Sequence, residues 1–156
     1  MRSKPSHYFV VRSPYAQLLL TGVKTFEWRT NANVFANKRL AISVSKSLAK
    51  EEYLQEDIAY WWKRFRRTLR NMTGSKRDAA FADFRNICAK AGRLFDRSNG
   101  CGMIIGEIVT GNATDYDGDY GIPVLKFKLW PESEWIKSPG GLGVRPLPVR
   151  KRIGKK

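Results

Sequence analysis

Four residues near the N-terminus have side chains suited to binding or transforming a ligand. Lys24, Thr25, Glu27 and Arg29 supply an ammonium, a hydroxyl, a carboxylate and a guanidinium within one short stretch. Such a group can clamp a phosphate, hold the edge of a base or move a proton. The alternative is a rim salt-bridge network between Glu27 and its basic neighbours, which would stabilise the fold only slightly. The residues alone leave these interpretations open.

The segment before these residues is predicted to form a strand and a short helix. The short segment His7–Arg12 (HYFVVR) indicates a first strand. Pro14 suits the first position of a helix, and Ser13 before it is a typical cap. Gly22 is expected to end this helix in the left-handed conformation that glycine adopts readily.

The four polar residues lie at the start of a second predicted strand. Because side chains alternate along a strand, Thr25, Glu27 and Arg29 are expected on one face, with Phe26 and Trp28 in the core. This arrangement would line a cleft with polar groups.

The rest of the chain alternates between strand and helix patterns. The periodicity predicts these elements: strands over Arg39–Ser45, Cys101–Thr110 and Val124–Trp130, and helices over Lys50–Met72 and Lys76–Phe95. We expect the two helices to form an antiparallel hairpin, and Gly106 to mark a bulge or a close approach. Gly111–Gly121 is predicted to be an acidic loop. Strands interrupted by helices favour an α+β barrel over a doubly wound sheet.

The composition indicates a polyanion as partner and limits the chemistry. The 156 residues carry a formal charge of +15, and the single histidine leaves a zinc site or a Ser-His-Asp triad without partners. Six of the positive charges lie in residues 145–156, so the remainder is basic in its own right. No metal or other cofactor is expected. Without a secretory or membrane-spanning pattern, we expect a cytoplasmic protein that binds no membrane.

The segment Pro14–Arg29 (PYAQLLLTGVKTFEWR) resembles the signature of the ASCH domain, a branch of the PUA-like superfamily. Ala41–Lys46 (AISVSK), Ile104–Val109 and Val124–Trp135 also resemble ASCH sequences and fall in the expected order. The resemblance implies an α+β fold, a small PUA-like β-barrel with a helix after its first strand and an inserted two-helix hairpin. The domain would span residues 1–144 with the helical insertion at about 50–97, and a basic tail would follow at 145–156.

PUA-like domains are similar to RNA-recognition modules, so the resemblance favours RNA as the partner. Basic grooves would contact phosphates, and exposed aromatic rings would stack on unpaired bases. The candidate RNA-binding residues are Tyr15, Lys24, Thr25, Glu27, Arg29, Ser45, Lys46, Arg64, Arg67, Trp130 and Trp135. Neither protein partners nor an oligomeric state follows from the sequence.

Two enzymatic activities also occur among ASCH proteins, and whether this chain is an enzyme stays open. In a single-strand ribonuclease, Lys24 would stabilise the phosphorane while Glu27 or Glu107 acts as the base. An N4-acetylcytidine amidohydrolase is the weaker alternative. Its lysine matches Lys24, but its threonine falls at Glu27 and its glutamate in the region of the Asp115–Asp119 loop.

Overall fold

A computed structural model describes residues 3–48, 63, 66–67, 73–90 and 99–148. In chain order the elements are β1 (His7–Ser13), α1 (Tyr15–Leu20), β2 (Phe26–Arg29), β3 (Arg39–Leu48), α2 (Ser75–Lys90), β4 (Met103–Thr110), β5 (Thr114–Tyr116), β6 (Asp119–Leu129), a 3-10 turn (Glu132–Glu134), β7 (Ile136–Lys137) and β8 (Arg145–Pro146). Within these ranges no helix has the length and apolar character needed to cross a bilayer.

The strands form one curled, mixed sheet. Its order is β2-β6-β4-β3-β1-β8, with β5 added to β6 and β7 added to β4. β1 and β3 run parallel, and the other strand pairs are antiparallel. The result is an α+β fold whose sheet curls into a half-barrel, as the sequence predicts at this coarse level.

The core lies on the concave side of the sheet, beneath α1. Because side chains alternate along each strand, Phe9, Ile42 and Ile108 point to this side and pack with Leu19 of α1. The opposite side carries a smaller cluster made of Tyr8, Ala41, Ile104, Trp130 and Ile136. The sheet therefore separates two apolar environments.

The turn that follows α1 has the predicted glycine, but the predicted helix cap is wrong. Pro14, not Ser13, occupies the cap position of α1. Ser13 ends β1, and its hydroxyl donates a hydrogen bond to the side chain of Gln17 at 3.1 Å. Gly22 adopts φ +77°, which favours glycine. A Cβ at this position would lie 2.6 Å from the ring of Phe127. The turn therefore packs directly on β6.

Gly106 in β4 makes the close approach that the sequence predicts. A Cβ added there would meet the carbonyl oxygen of Lys128 and lie 2.8 Å from Leu20. The register between β3 and β4 also shifts beside it, between Ile42 and Ser43. Glycine thus lets α1 and β6 approach the same point of β4.

The acidic segment Gly111–Gly121 is a hairpin and not the predicted loop. β5 and the first residues of β6 pair through Thr114 opposite Gly121. Asp117 and Gly118 connect them, with φ values of 58° and 92°. Two consecutive positive φ values are typical of the tight turn that joins antiparallel strands, and Asp-Gly is a preferred sequence for it.

The predicted helical hairpin is described only in part. α2 corresponds to the second predicted helix, whereas the first lies outside the described residues apart from Lys63, Arg66 and Arg67, which are helical. At the other end of the chain, Arg145–Pro146, which the sequence assigns to the basic tail, pairs with β1 as β8.

The second half of β6 exposes both of its faces. Phe127 lies opposite Ile108 and so shares the face of the main core, yet Leu125, Phe127 and Leu129 are all exposed. β2 pairs with β6 only as far as Pro123. Among the described residues, Gly22 approaches Phe127 and Gly111 approaches Leu125. The three side chains still keep about half or more of their surface exposed, because the strand that flanks the first half of β6 is too short to reach them.

Candidate functional site

β2 sorts the predicted site residues onto its two faces. Glu27 lies opposite Ile122 of β6 and faces the main core, and Arg29 lies on the same side. Phe26 and Trp28 face away from that core and stack on each other, with ring centroids 5.5 Å apart. The alternation is therefore as predicted, but the assignment of Phe26 and Trp28 to the core is wrong: both are only partly buried, and the polar residues face inward.

Lys24, Glu27 and Arg29 form a closed, ion-paired group, which we call the Glu27 cluster. The Nε of Arg29 donates a hydrogen bond to Oε1 of Glu27 at 2.9 Å, and the Nζ of Lys24 lies 3.6 Å from Oε2. Lys24 also donates to the carbonyl oxygen of Phe26. The side chains of Lys24 and Glu27 are only 7% and 8% exposed. The predicted polar cleft is thus a buried charge cluster in this conformation.

One oxygen of this cluster is left without a hydrogen bond. Oε2 of Glu27 is fully buried and accepts none from the described residues, although Lys24 lies nearby. An unsatisfied buried acceptor costs about 1–3 kcal/mol, and more when it is charged. Such a group in a native fold calls for an explanation, and a ligand that donates a hydrogen bond to this oxygen would supply one.

Arg29 is the member of the cluster that reaches solvent. Its guanidinium carbon lies 4.6 Å from the ring centroid of Phe35 and 5.1 Å from that of Phe9. The side chain remains 29% exposed, and one terminal nitrogen donates to the carbonyl of Val10 at 3.4 Å. Two aromatic rings and a carboxylate therefore fix a partly exposed cation at the edge of the core.

Thr25 does not join the cluster, because it binds Asp83 of α2. Its hydroxyl donates to Oδ1 of Asp83 at 3.1 Å, and its backbone amide donates to the same oxygen. The amide of Phe26 and the indole of Trp28 also donate to this carboxylate, at 3.2 and 3.1 Å. Asp83 is buried, so it anchors α2 to the beginning of β2.

Sequence reasoning missed Asp83, although a signal was present. It lies three residues after Ala80, on the apolar stripe of the predicted helix. An acid on the buried face of a helix needs hydrogen-bond partners, and the start of a neighbouring strand can provide backbone amides.

Glu107, the other carboxylate considered for catalysis, lies on the opposite side of the sheet. It accepts hydrogen bonds from Arg39 at 2.6 Å and from the indole of Trp130 at 3.1 Å. Burial raises the pKa of Glu107, but these two hydrogen bonds, with the charges of Arg39 and Lys128, leave its pKa below the ordinary 4.5. The structure thus brings Lys24 and Glu27 together and places Glu107 elsewhere.

The aromatic side chains predicted to stack on bases pack mostly against the protein's own core. Trp130 is buried in the smaller cluster, with the ammonium of Lys4 lying 4.7 Å from its ring centroid. Trp135 is partly buried and donates its indole N–H to the carbonyl of Trp130 at 2.9 Å. Tyr15 packs against the main core. Trp130 is therefore not available for stacking on a base, and the other two are only partly so.

The remaining candidates lie on other parts of the surface. Ser45 in β3 is partly buried and accepts a hydrogen bond from the amide of Ser47 at 3.3 Å. Lys46 is exposed, with its aliphatic stem beside Gly102. Arg67 is exposed, and Arg64 lies outside the described residues.

Within the described ranges, no group of three or more His, Cys, Asp or Glu side chains is arranged to hold a metal ion. In comparisons with known proteins, no family model matches this chain and no curated protein matches it.

Proposed function

We propose that the protein is an RNA-binding module of the PUA-like, ASCH type, and that the Glu27 cluster receives an unpaired nucleotide. The resemblance of Pro14–Arg29 to the ASCH signature supports the fold family, and a half-barrel with a helix after its first strand agrees with it. Two physical features of the chain support RNA as the partner.

The first feature is the net charge. A formal charge of +15 attracts a polyanion at long range and favours contacts to phosphates, whose affinity comes largely from the release of counterions. Charge explains attraction to any nucleic acid, so recognition of a base must come from particular side chains.

The observation that carries the proposal is the unsatisfied oxygen of Glu27. The edges of cytosine, adenine and guanine all present N–H donors, and a buried carboxylate oxygen is a strong acceptor for them. Access requires the flexible Lys24 side chain to turn from Glu27 towards a phosphate. Arg29, already at the solvent boundary, would contact the same nucleotide. The ion pair between Lys24 and Glu27 would then be replaced by a contact of Glu27 with the base and a contact of Lys24 with the phosphate.

A charge-matched double variant tests this proposal. Lys24→Met with Glu27→Gln removes one positive and one negative charge, so the net charge is unchanged, and the introduced amide oxygen can still accept from Arg29. We expect this variant to bind a single-stranded, fluorescein-labelled RNA at least about tenfold more weakly, because a hydrogen bond to a charged group is worth about 1.5–3 kcal/mol.

The matched control removes an equivalent ion pair from the other side of the sheet. Arg39→Met with Glu107→Gln also leaves the net charge unchanged, and the introduced amide oxygen can still accept from Trp130. This control should bind RNA like the wild-type protein. Equal affinities for all three proteins, with melting curves showing that each is folded, would restrict the Glu27 cluster to a structural role.

A further inference from the structure

A second basic site lies on the outer face of α2. An open depression of about 550 Å³ is lined by Arg66, Arg77, Asp78, Phe81 and Arg85, and we call it the Phe81 pocket. The described lining therefore combines three guanidinium groups, one carboxylate and the ring of Phe81. Among the described residues, none of the candidate RNA-binding residues named from the sequence lines it.

Helical spacing explains how the pocket is built. Arg77, Phe81 and Arg85 are four residues apart and so lie above one another on one face of α2. The guanidinium carbon of Arg77 lies 4.9 Å from the ring centroid of Phe81. Its Nη1 is 3.8 Å from Oδ1 of Asp78, a long and exposed ion pair that contributes little.

The other face of α2 holds the pocket in place. Ala80 and Asp83 are fully buried, and Asp83 binds the backbone at the start of β2. Residues on opposite faces of one helix cannot contact the same nucleotide, although one RNA strand can reach both. The Phe81 pocket is therefore a surface separate from the Glu27 cluster, carried on an anchored helix.

The chemistry of the lining indicates a ligand with both a phosphate and a flat ring. Guanidinium groups match the oxygen geometry of phosphate, and both they and aromatic rings stack on bases. The ammonium group of lysine also attracts anions, but it is not planar and cannot stack on a base. This pocket instead combines planar guanidinium groups with the ring of phenylalanine. We propose that the Phe81 pocket binds a phosphate and a stacked base of single-stranded RNA, as a second contact beside the Glu27 cluster. This inference rests on the proposed RNA-binding function.

The experiment measures the affinity for a labelled single-stranded RNA of about 12 nucleotides, a length within the range of single-strand binding sites. Arg77→Gln with Arg85→Gln removes two charges from the pocket. The control, Lys38→Gln with Lys137→Gln, removes two charges from exposed positions outside it. The pocket variant should bind more weakly than this control, and the magnitude of the slope of log affinity against log salt should fall by about 0.7 for the one lost phosphate contact.

Two further variants test whether the ring of Phe81 stacks on a base. Phe81→Ala should weaken binding about tenfold, and Phe81→Tyr should restore it because the ring is retained. Melting curves identify any loss of fold, and the tyrosine variant keeps the test valid if the alanine variant is unstable. If Phe81→Ala binds RNA like the wild-type protein, the pocket does not stack a base.

Three other outcomes would also overturn the inference. If the pocket variant and the lysine control bind RNA equally while Lys24→Met with Glu27→Gln loses affinity, the proposed function stands and the pocket plays no part. If the wild-type protein does not bind RNA, both proposals fail. If a polyglutamate peptide binds instead, and Arg77→Gln with Arg85→Gln weakens that binding while Phe81→Ala leaves it unchanged, the pocket is a site for acidic peptides.

Discussion

The carboxylate of Asp83 accepts a hydrogen bond from the indole nitrogen of Trp28 at 3.1 Å, joining α2 to β2. The backbone amides of Thr25 and Phe26 and the hydroxyl of Thr25 converge on the same side chain. β2 carries Glu27 and Arg29 on its other face. One buried acid therefore links the helix of the Phe81 pocket to the strand of the Glu27 cluster.

Replacement of Asp83 by alanine should destabilise the protein strongly. It would leave two amides, a hydroxyl and an indole without their acceptor, and hydrogen bonds to charged groups are worth about 1.5–3 kcal/mol each, so we expect a loss of about 3 kcal/mol or more. Urea unfolding measures this loss. Asp83→Asn keeps one acceptor oxygen and should lose less; equal stability of both variants and the wild-type protein would show that α2 is held by other contacts.

The ion pair of Glu107 predicts a particular pH dependence. Because its pKa lies below 4.5 in the folded protein, the unfolded chain binds the proton at higher pH. Its contribution to stability is therefore present above pH 4.5 and is lost as the pH falls through the folded-state pKa. Glu107→Gln does not titrate, so the difference in free energy of unfolding between wild type and variant should shrink as the solution is acidified. A difference that is constant or grows on acidification would contradict this assignment.

The exposed stripe on β6 predicts a contrast between two identical substitutions. Leu125 is 64% exposed and Leu40 is 3% exposed, although both belong to apolar faces of strands. Leu40→Ala should cost about 2–5 kcal/mol, whereas Leu125→Ala should cost less than about 1 kcal/mol. Chemical denaturation of the two variants measures both values. A large loss for Leu125→Ala would mean that the stripe is covered in solution.

Contacts to phosphates predict a strong effect of salt on RNA binding. For two such contacts on a single strand, one at each site, affinity should fall about sevenfold between about 50 mM and about 200 mM salt. Fluorescence anisotropy over a series of salt concentrations gives the slope. An affinity that hardly changes with salt would contradict phosphate contacts, whether at the Glu27 cluster or at the Phe81 pocket.

Much of the fold follows from local patterns in the sequence. Alternation predicts β3, and apolar segments predict β1 and β4. Gly22 and Gly106 take the roles expected of them because their local requirements are strict. The hairpin turn at Asp117–Gly118 was also readable from its residue types, but the acidic residues around it suggested a loop.

The candidate site was less predictable, because alternation assigns a residue to a face without saying what covers that face. Glu27 and Phe127 illustrate the two errors. Glu27 is a charged residue and is therefore predicted to line an open cleft, but its side chain is buried beside Lys24 and Arg29. Phe127 is apolar and fits the pattern of a core strand, but it is 51% exposed. Burial depends on how far β2 extends along β6, and that length is a property of the whole sheet.

The most direct test of RNA binding at the Glu27 cluster follows two side-chain N–H groups by NMR. The Nε–H of Arg29 bonds to Glu27, and the indole N–H of Trp130 bonds to Glu107 on the other side of the sheet. On titration with single-stranded RNA, the Arg29 signal should shift and reach saturation while the Trp130 signal stays in place. A saturating shift of Trp130 with Arg29 unmoved, or no shift of Arg29 when the RNA is fully bound, would contradict the account.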